Sequence, residues 1–83
     1  MSSSDRARSP RQDFRVLTRR RGGYDGGEMF DVQLQVAATG ALVWAQTFSD
    51  QDQADEFEQQ VDHDLDELDV DEFRRKYSVP STA

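Results

Sequence analysis

The chain has no cysteine, which excludes disulfide bonds, thiolate metal sites and cysteine nucleophiles together. It also has no apolar run approaching the roughly 18 residues of a membrane-spanning helix. The first twelve residues lack the apolar segment of a secretory signal peptide. We therefore expect a cytoplasmic protein with no membrane partner, because a cysteine-free chain suits a reducing compartment.

The residue patterns of common catalytic and metal sites are missing as well. His63 is the only histidine, and one imidazole makes neither a catalytic triad nor a zinc site. The acidic run from Asp62 has the aspartate spacing of a calcium loop, but Glu67 stands in place of its glycine and Phe73 in place of its bidentate glutamate. We expect a non-enzymatic protein without a cofactor or a metal ion.

A chain of 83 residues has room for one domain, and a domain of this size buries only about 60% of the surface that its unfolded chain exposes. Residues 1–12 are small, polar and charged, so we predict a disordered basic tail. Residues 13–79 form the predicted domain, and residues 80–83 form a second disordered tail.

Three segments have the composition of β-strands. Residues 14–18 are rich in β-prone side chains, and residues 30–36 alternate apolar with polar side chains, the pattern of a half-buried strand. Residues 42–48 follow a turn that contains Gly40. The glycine-rich residues 19–28 predict a mobile loop between the first two strands.

The turn between the second and third strands decides which face the only tryptophan occupies. A two-residue loop would leave Trp44 and Phe48 on the polar face, whereas a three-residue loop over residues 38–40 turns them inward. Because burial of such side chains contributes several kcal/mol at about 25 cal/mol per Å2, we predict the three-residue loop with Gly40 in the left-handed conformation. The resulting register has three apolar pairs: Val36 with Leu42, Leu34 with Trp44, and Phe30 with Phe48.

Two helices follow the strands. Ser49 to Asp52 has the sequence of a loose capping box, so Ser49 is predicted to cap the first helix. Apolar residues then recur at steps of three and four, as on an amphipathic helix: Ala54, Phe57, Val61, Leu65 and Leu68. Asp69 and Glu72 form a second capping box, which predicts a short helix from Val70 to about Tyr77.

Together these segments predict an α+β fold. The hairpin and the N-terminal strand make a small three-stranded antiparallel sheet, and the amphipathic helix and the short terminal helix cover one face of it. The strand at residues 42–48 has neither charge nor proline to protect its edge. We expect that edge to be covered by the C-terminal helix or by a second copy of the chain.

Charge is divided unevenly along the chain, whose net charge is −7: residues 1–28 carry +3 and residues 29–83 carry −10. Between residues 50 and 69 there are ten acids and no lysine or arginine. Like charges at helical spacing repel by a few tenths of a kcal/mol each, so this face either serves solubility or docks to a basic partner. The candidate acidic partner surface comprises four residues: Asp55, Glu58, Asp62 and Asp66.

Arginines near the N-terminus form a candidate basic surface: Arg15, Arg19, Arg20 and Arg21. Arg15 and Arg19 are expected on the open face of the sheet and the others in the flexible loop, an arrangement compatible with nucleic-acid phosphates. The open face lacks the exposed aromatics on which RNA-binding sheets stack bases. The same arginines can instead pair internally with the acidic helix.

Two functional hypotheses follow. The leading one is a small interaction protein that presents an acidic helix face to a protein partner. The alternative is a nucleic-acid-associated protein that binds phosphates through its N-terminal arginines. We expect the monomer to be slightly favoured over an edge-paired homodimer, because two chains of charge −7 repel each other.

Overall fold

The computed structural model describes residues 9–23 and 26–79, so the tail predictions for residues 1–8 and 80–83 lie outside the described residues. The described chain has these strands and helices in order: β1 Phe14–Gly22, β2 Glu28–Val36, β3 Leu42–Phe48, α1 Gln51–Glu67 and α2 Val70–Lys76. The strands form one open antiparallel sheet in the order β1-β2-β3, with the helices packed against it. The predicted α+β fold is confirmed.

The core lies between the sheet and the helices. Its larger cluster contains Phe14, Leu34, Val61, Leu65, Phe73 and Val79, and its smaller cluster contains Phe30, Val32 and Ala54. The rings of Phe14 and Phe73 stack with their centroids 5.8 Å apart, which ties β1 to α2. The alternation of β2 and the apolar stripe of α1 are both confirmed, because their apolar residues supply most of this core.

The hairpin turn is one residue longer than predicted. The Val36 N–H donates to the Ala41 carbonyl at 2.8 Å, and the Gly40 N–H donates to the Val36 carbonyl at 2.7 Å. The loop therefore spans residues 37–40. Gly40 has a φ of 77°, the left-handed conformation that was predicted for it and that glycine adopts without steric cost.

A β-bulge compensates for the longer turn. Leu42 pairs with Gln35 rather than with Val36, and the next pair is Leu34 with Trp44, so Val43 is the extra residue on β3. The predicted pairs from Leu34–Trp44 to Phe30–Phe48 are thereby confirmed. The bulge turns Leu42 outward, where it is 58% exposed, and Val43 packs against the core instead.

β1 ends four residues later than predicted. β2 already begins at Glu28, so it offers backbone partners to Arg19 and Arg21, which pair with Asp31 and Met29. Because a paired backbone stabilises an extended strand whatever its local composition, these arginines lie in β1 and not in the predicted loop. Tyr24 and Asp25 lie outside the described residues.

The helix caps are aspartates. Asp50, not the predicted Ser49, caps α1, and its Oδ1 accepts from the Asp52 N–H at 2.9 Å. A negative cap also complements the positive end of the helix dipole. The predicted capping box of α2 is confirmed: Asp69 and Glu72 exchange hydrogen bonds of 2.8 and 3.1 Å. Neither described helix is long and apolar enough to cross a bilayer.

Residues 9–12 differ from the disordered tail predicted for them. Pro10–Gln12 form a 3-10 helix, and Pro10 is fully buried. The Ser9 hydroxyl donates to the Leu65 carbonyl at 2.6 Å. Packing against α1 orders this segment, a contact between positions 56 residues apart that local composition does not reveal.

Candidate functional site

The four acids of the predicted acidic surface lie in one row along the flank of α1 that faces β1. Glu58 is half-buried there, and the Thr18 hydroxyl of β1 donates to its carboxylate. Asp62 and Asp66 lie one and two turns further along the helix, and Asp55 lies one turn before. Steps of three and four residues bring all four onto this flank.

Arg11 binds two of these acids. Its Nε lies 2.6 Å from Asp66 Oδ1, and its Nη2 lies 3.0 Å from both Asp66 Oδ2 and Asp62 Oδ1. The hydrogen bonds that Arg11 donates to Asp66 and Asp62 raise the pKa of Arg11, and the bond from Arg11 lowers the pKa of Asp66. Arginine therefore does pair internally with the acidic helix. The arginine is Arg11, which lies within the predicted N-terminal tail.

Other acids of α1 are exposed to solvent. Four exposed carboxylates have no ion pair among the described residues, and we call them the outer acidic face: Asp52, Asp55, Glu56 and Glu67. Asp55 lies toward the β1 flank, whereas Asp52, Glu56 and Glu67 lie on the side of α1 turned away from the core, as does the exposed His63. Of the predicted acidic surface, only Asp55 belongs to this unpaired set.

The predicted basic surface is divided between the two faces of the sheet. Three of its residues lie on the face that the helices leave open: Arg15, Arg19 and Arg21. Arg21 Nε donates to Asp31 Oδ2 at 2.8 Å, a bond that raises the pKa of Arg21 and lowers that of Asp31. Arg15 Nε donates to Gln35 Oε1 at 2.9 Å.

Arg20 lies on the opposite face, where its Nε is 3.6 Å from Glu28 Oε2. Arg19 has no hydrogen bond or ion pair to any residue in the described ranges. The structure therefore brings three of the four arginines together on one face, but two of those three guanidinium groups already have partners.

An ion pair that the sequence did not single out links α1 to α2, and its carboxylate is buried while its ammonium group is exposed. Asp64 is only 6% exposed, and its Oδ2 accepts from Lys76 Nζ at 2.7 Å and from the Tyr77 hydroxyl at 2.5 Å. Burial acts to raise the pKa of Asp64, but the bonds from Lys76 and Tyr77 outweigh it and the pKa is lowered. Burial and the bond to Asp64 raise the pKa of Tyr77 to about 12, so its hydroxyl stays protonated at neutral pH and serves as a donor.

The sequence did contain a signal for this pair. Asp64 lies seven residues after Phe57 and three after Val61, a position on the apolar stripe of α1. A charged residue at such a position must be paired, because an isolated buried charge is costly. Its partners lie on another helix, so the spacing reveals the need for a partner and not its identity.

A groove of about 370 Å3 lies between β3 and the end of α2, and we call it the β3 groove. Aromatic rings line it, with the Trp44 ring centroid 5.8 Å from that of Phe57 and 6.1 Å from that of Tyr77. Gln46 and Lys76 supply polar groups at its wall. The Trp44 indole N–H is buried and has no hydrogen-bond partner in the described part of the chain.

Within the described ranges, no three histidine, aspartate or glutamate side chains are grouped as a metal ion requires. No protein-family model, curated protein or solved structure matches this chain. Function is therefore inferred from its own surfaces.

Proposed function

We propose that this protein is a small, non-enzymatic interaction protein whose outer acidic face docks onto a basic surface of another protein. The observation that carries the proposal is the set of four exposed carboxylates on α1 that lack a cationic partner in the described chain. An interaction with another protein would supply the missing positive charge. We expect it to act in the cytoplasm.

The distribution of lysine and arginine supports this proposal. Surface helices commonly gain stability from pairs of opposite charge at i,i+4, but residues 50–69 contain no lysine or arginine at all. Arg11 neutralises Asp62 and Asp66, and no other cation of the described chain pairs with the outer acidic face. Like charges one turn apart, such as Asp52 and Glu56, destabilise the helix, and a bound basic partner would relieve that repulsion.

Nucleic-acid binding through the N-terminal arginines has less support. Arg15, Arg20 and Arg21 each have a protein partner, and Arg20 lies on the face opposite to the other two. A phosphate ligand would have to displace these contacts and approach a chain of net charge −7.

The test is a pull-down from an extract of the native cells, with the full chain immobilised at low and high salt. An Asp52→Asn/Glu56→Gln variant should lose the proteins that the natural chain captures, because a partner bound by charge depends on those carboxylates. The matched control, Glu28→Gln/Asp71→Asn, removes the same charge from exposed positions elsewhere and should retain them. Arg11→Gln frees Asp62 and Asp66 and should increase the amount captured.

Equal capture by the outer-face variant and its control would contradict the proposal. A heparin column and a gel shift with generic DNA and RNA at low salt test the alternative. Retention on heparin that is lost in an Arg19→Gln variant would favour nucleic-acid binding instead.

A further inference from the structure

One edge of β3 has no partner strand among residues 9–23 and 26–79. β3 pairs with β2 on one side only, and its seven residues include no charged side chain and no proline. Natural sheets protect such edges with charge, proline or a covering element, since an open row of backbone groups is a template for another strand. In β1, the other edge strand, arginines provide this protection.

The backbone hydrogen bonds of the sheet show which groups of β3 point away from β2. The Ala37 N–H donates to the Asp13 carbonyl at 2.8 Å, so odd-numbered residues of β2 bond to β1 and even-numbered ones to β3. Ala45 lies opposite Gln33, an odd-numbered residue, and Thr47 lies two residues further along. The N–H and C=O groups of Ala45 and Thr47 therefore point away from the sheet.

β3 itself carries no charge, although a third of the chain is charged. The flank of α1 above β3 bears Gln60, which donates to the Tyr77 hydroxyl at 3.3 Å, and Gln53, two turns earlier on the same side. Lys76 at the β3 groove is neutralised by Asp64. Glu56 follows Gln53 by three residues and so lies on the flank above β3 as well, whereas the Arg11-bound acids lie on the flank toward β1.

We propose that a second copy of this chain pairs with β3, antiparallel and about a two-fold axis near Ala45, to form a six-stranded sheet. Two-fold pairing is self-complementary, so each copy offers the other an uncharged edge with free backbone groups in matching positions. Trp44 then lies opposite Gln46 of the second copy, and each β3 groove is closed by the other chain.

The charge arrangement favours a second copy over other occupants. A basic protein would be drawn to the acids of α1, and among the described residues that line the β3 groove the only cation offered to a nucleic acid is the paired Lys76. Repulsion between two chains of −7 favours a monomer, but none of that charge lies on β3 itself. Salt screens such repulsion beyond about 8–10 Å, so the dimer strengthens as salt is added.

The experiment is sedimentation velocity of the full chain over a range of protein and salt concentrations. We expect a species of twice the 9.5 kDa chain mass. Its fraction should rise with protein concentration and with salt concentration. Ala45→Lys places two ammonium groups opposite each other at the axis and should raise the dimer dissociation constant about tenfold or more. Ala38→Lys makes the same charge change on the exposed hairpin loop and should leave dimerisation as it is.

Circular dichroism confirms that each variant is folded, and Gln46→Lys provides a second edge variant if Ala45→Lys is not. Amide exchange at Ala45 and Thr47 should slow as protein concentration rises. A monomer under all conditions, or a dimer that both edge variants leave intact, would overturn the proposal. Either result leaves the proposed function untouched, because the outer acidic face is exposed in both monomer and dimer.

Discussion

Asp64 shows how one residue can connect elements that are far apart in the chain. It lies on α1, yet both of its side-chain partners, Lys76 and Tyr77, follow twelve and thirteen residues later. The Tyr77 hydroxyl also accepts a hydrogen bond from the Gln60 amide. It therefore donates to Asp64 and accepts from Gln60. An ion pair with a buried member often adds little net stability. Removing one partner is nevertheless costly, because the groups that bonded to it are left without a partner.

Replacing Asp64 with alanine should lower the free energy of unfolding by about 1–3 kcal/mol, because the half-buried Tyr77 hydroxyl loses its acceptor. Urea unfolding followed by circular dichroism measures the loss. Glu67→Ala, an exposed acid on the same helix, is the control and should change stability by less than about 0.5 kcal/mol. The pKa of Tyr77, about 12 in the natural chain, should fall toward its ordinary value of 10.0 in the alanine variant. Equal unfolding midpoints for the two variants would rule out this role.

Among the elements, β3 depends on its bulge. The extra residue Val43 lets Trp44 reach Phe57 and Tyr77, while Leu42 is turned outward. Without the bulge, the four-residue turn would place Trp44 on the open face of the sheet.

Trp44→Ala should therefore cost about 3–5 kcal/mol, the range for large core truncations, whereas Leu42→Ala should change stability by less than about 0.5 kcal/mol. The pair tests the bulge directly, because a regular strand that kept Trp44 on the helix-covered face would place Leu42, two residues away, on that face as well. Thermal and urea unfolding of both variants measure the difference. A larger loss for Leu42→Ala than for Trp44→Ala would place the bulge elsewhere.

Packing, and not charge, maintains α1 as a helix. Its buried stripe supplies Val61 and Leu65 to the core, while Asp52 and Glu56 repel each other one turn apart. A helix with such an unrelieved repulsion leaves room for stabilising substitutions.

Glu56→Lys should raise the free energy of unfolding by about 0.2–0.5 kcal/mol, because it replaces the repulsion with an attractive i,i+4 pair to Asp52. The gain should shrink at high salt. Glu56→Gln is the control and should give a smaller gain. If the outer acidic face binds a basic partner, the lysine variant should be more stable and bind more weakly. A loss of stability would show that Glu56 has a favourable contact in the folded chain.

At the scale of the whole molecule, charge sets the response to acid. Asp31, Asp64 and Asp66 have pKa values below the ordinary 3.8. A carboxyl group with a lowered pKa in the folded state stabilises the fold above its unfolded pKa, and this contribution is lost as the pH falls through the folded pKa. Repulsion among the acids of α1 acts in the opposite direction and is weakened by salt.

The melting temperature should therefore fall when the pH drops below about 4, most clearly at high salt, where repulsion is screened. Calorimetry across this pH range measures it. Asp64→Asn should flatten the decline, and Asp71→Asn, at an exposed position on α2, should not. A melting temperature that stays constant from about pH 5 to about pH 3 at high salt would contradict the expectation.

Features that depend on neighbouring residues could be predicted from the amino-acid sequence. The alternation of β2, the three-and-four spacing of α1, the capping box at Asp69 and the left-handed Gly40 all follow from interactions within a few residues. Such local preferences follow from the order of the side chains along the chain, and they were sufficient to predict the fold class.

The meeting of chain segments that are distant in sequence depends on the folded arrangement of the whole chain. The pairing of Arg11 with Asp66 joins positions 55 residues apart, and β1 continues to Gly22 because β2 lies beside it. The bulge at Val43 arises because apolar burial fixes Trp44 beneath the helices while the turn takes an additional residue. In each case the favourable contact exists only after the chain has folded back on itself, so no local pattern encodes it.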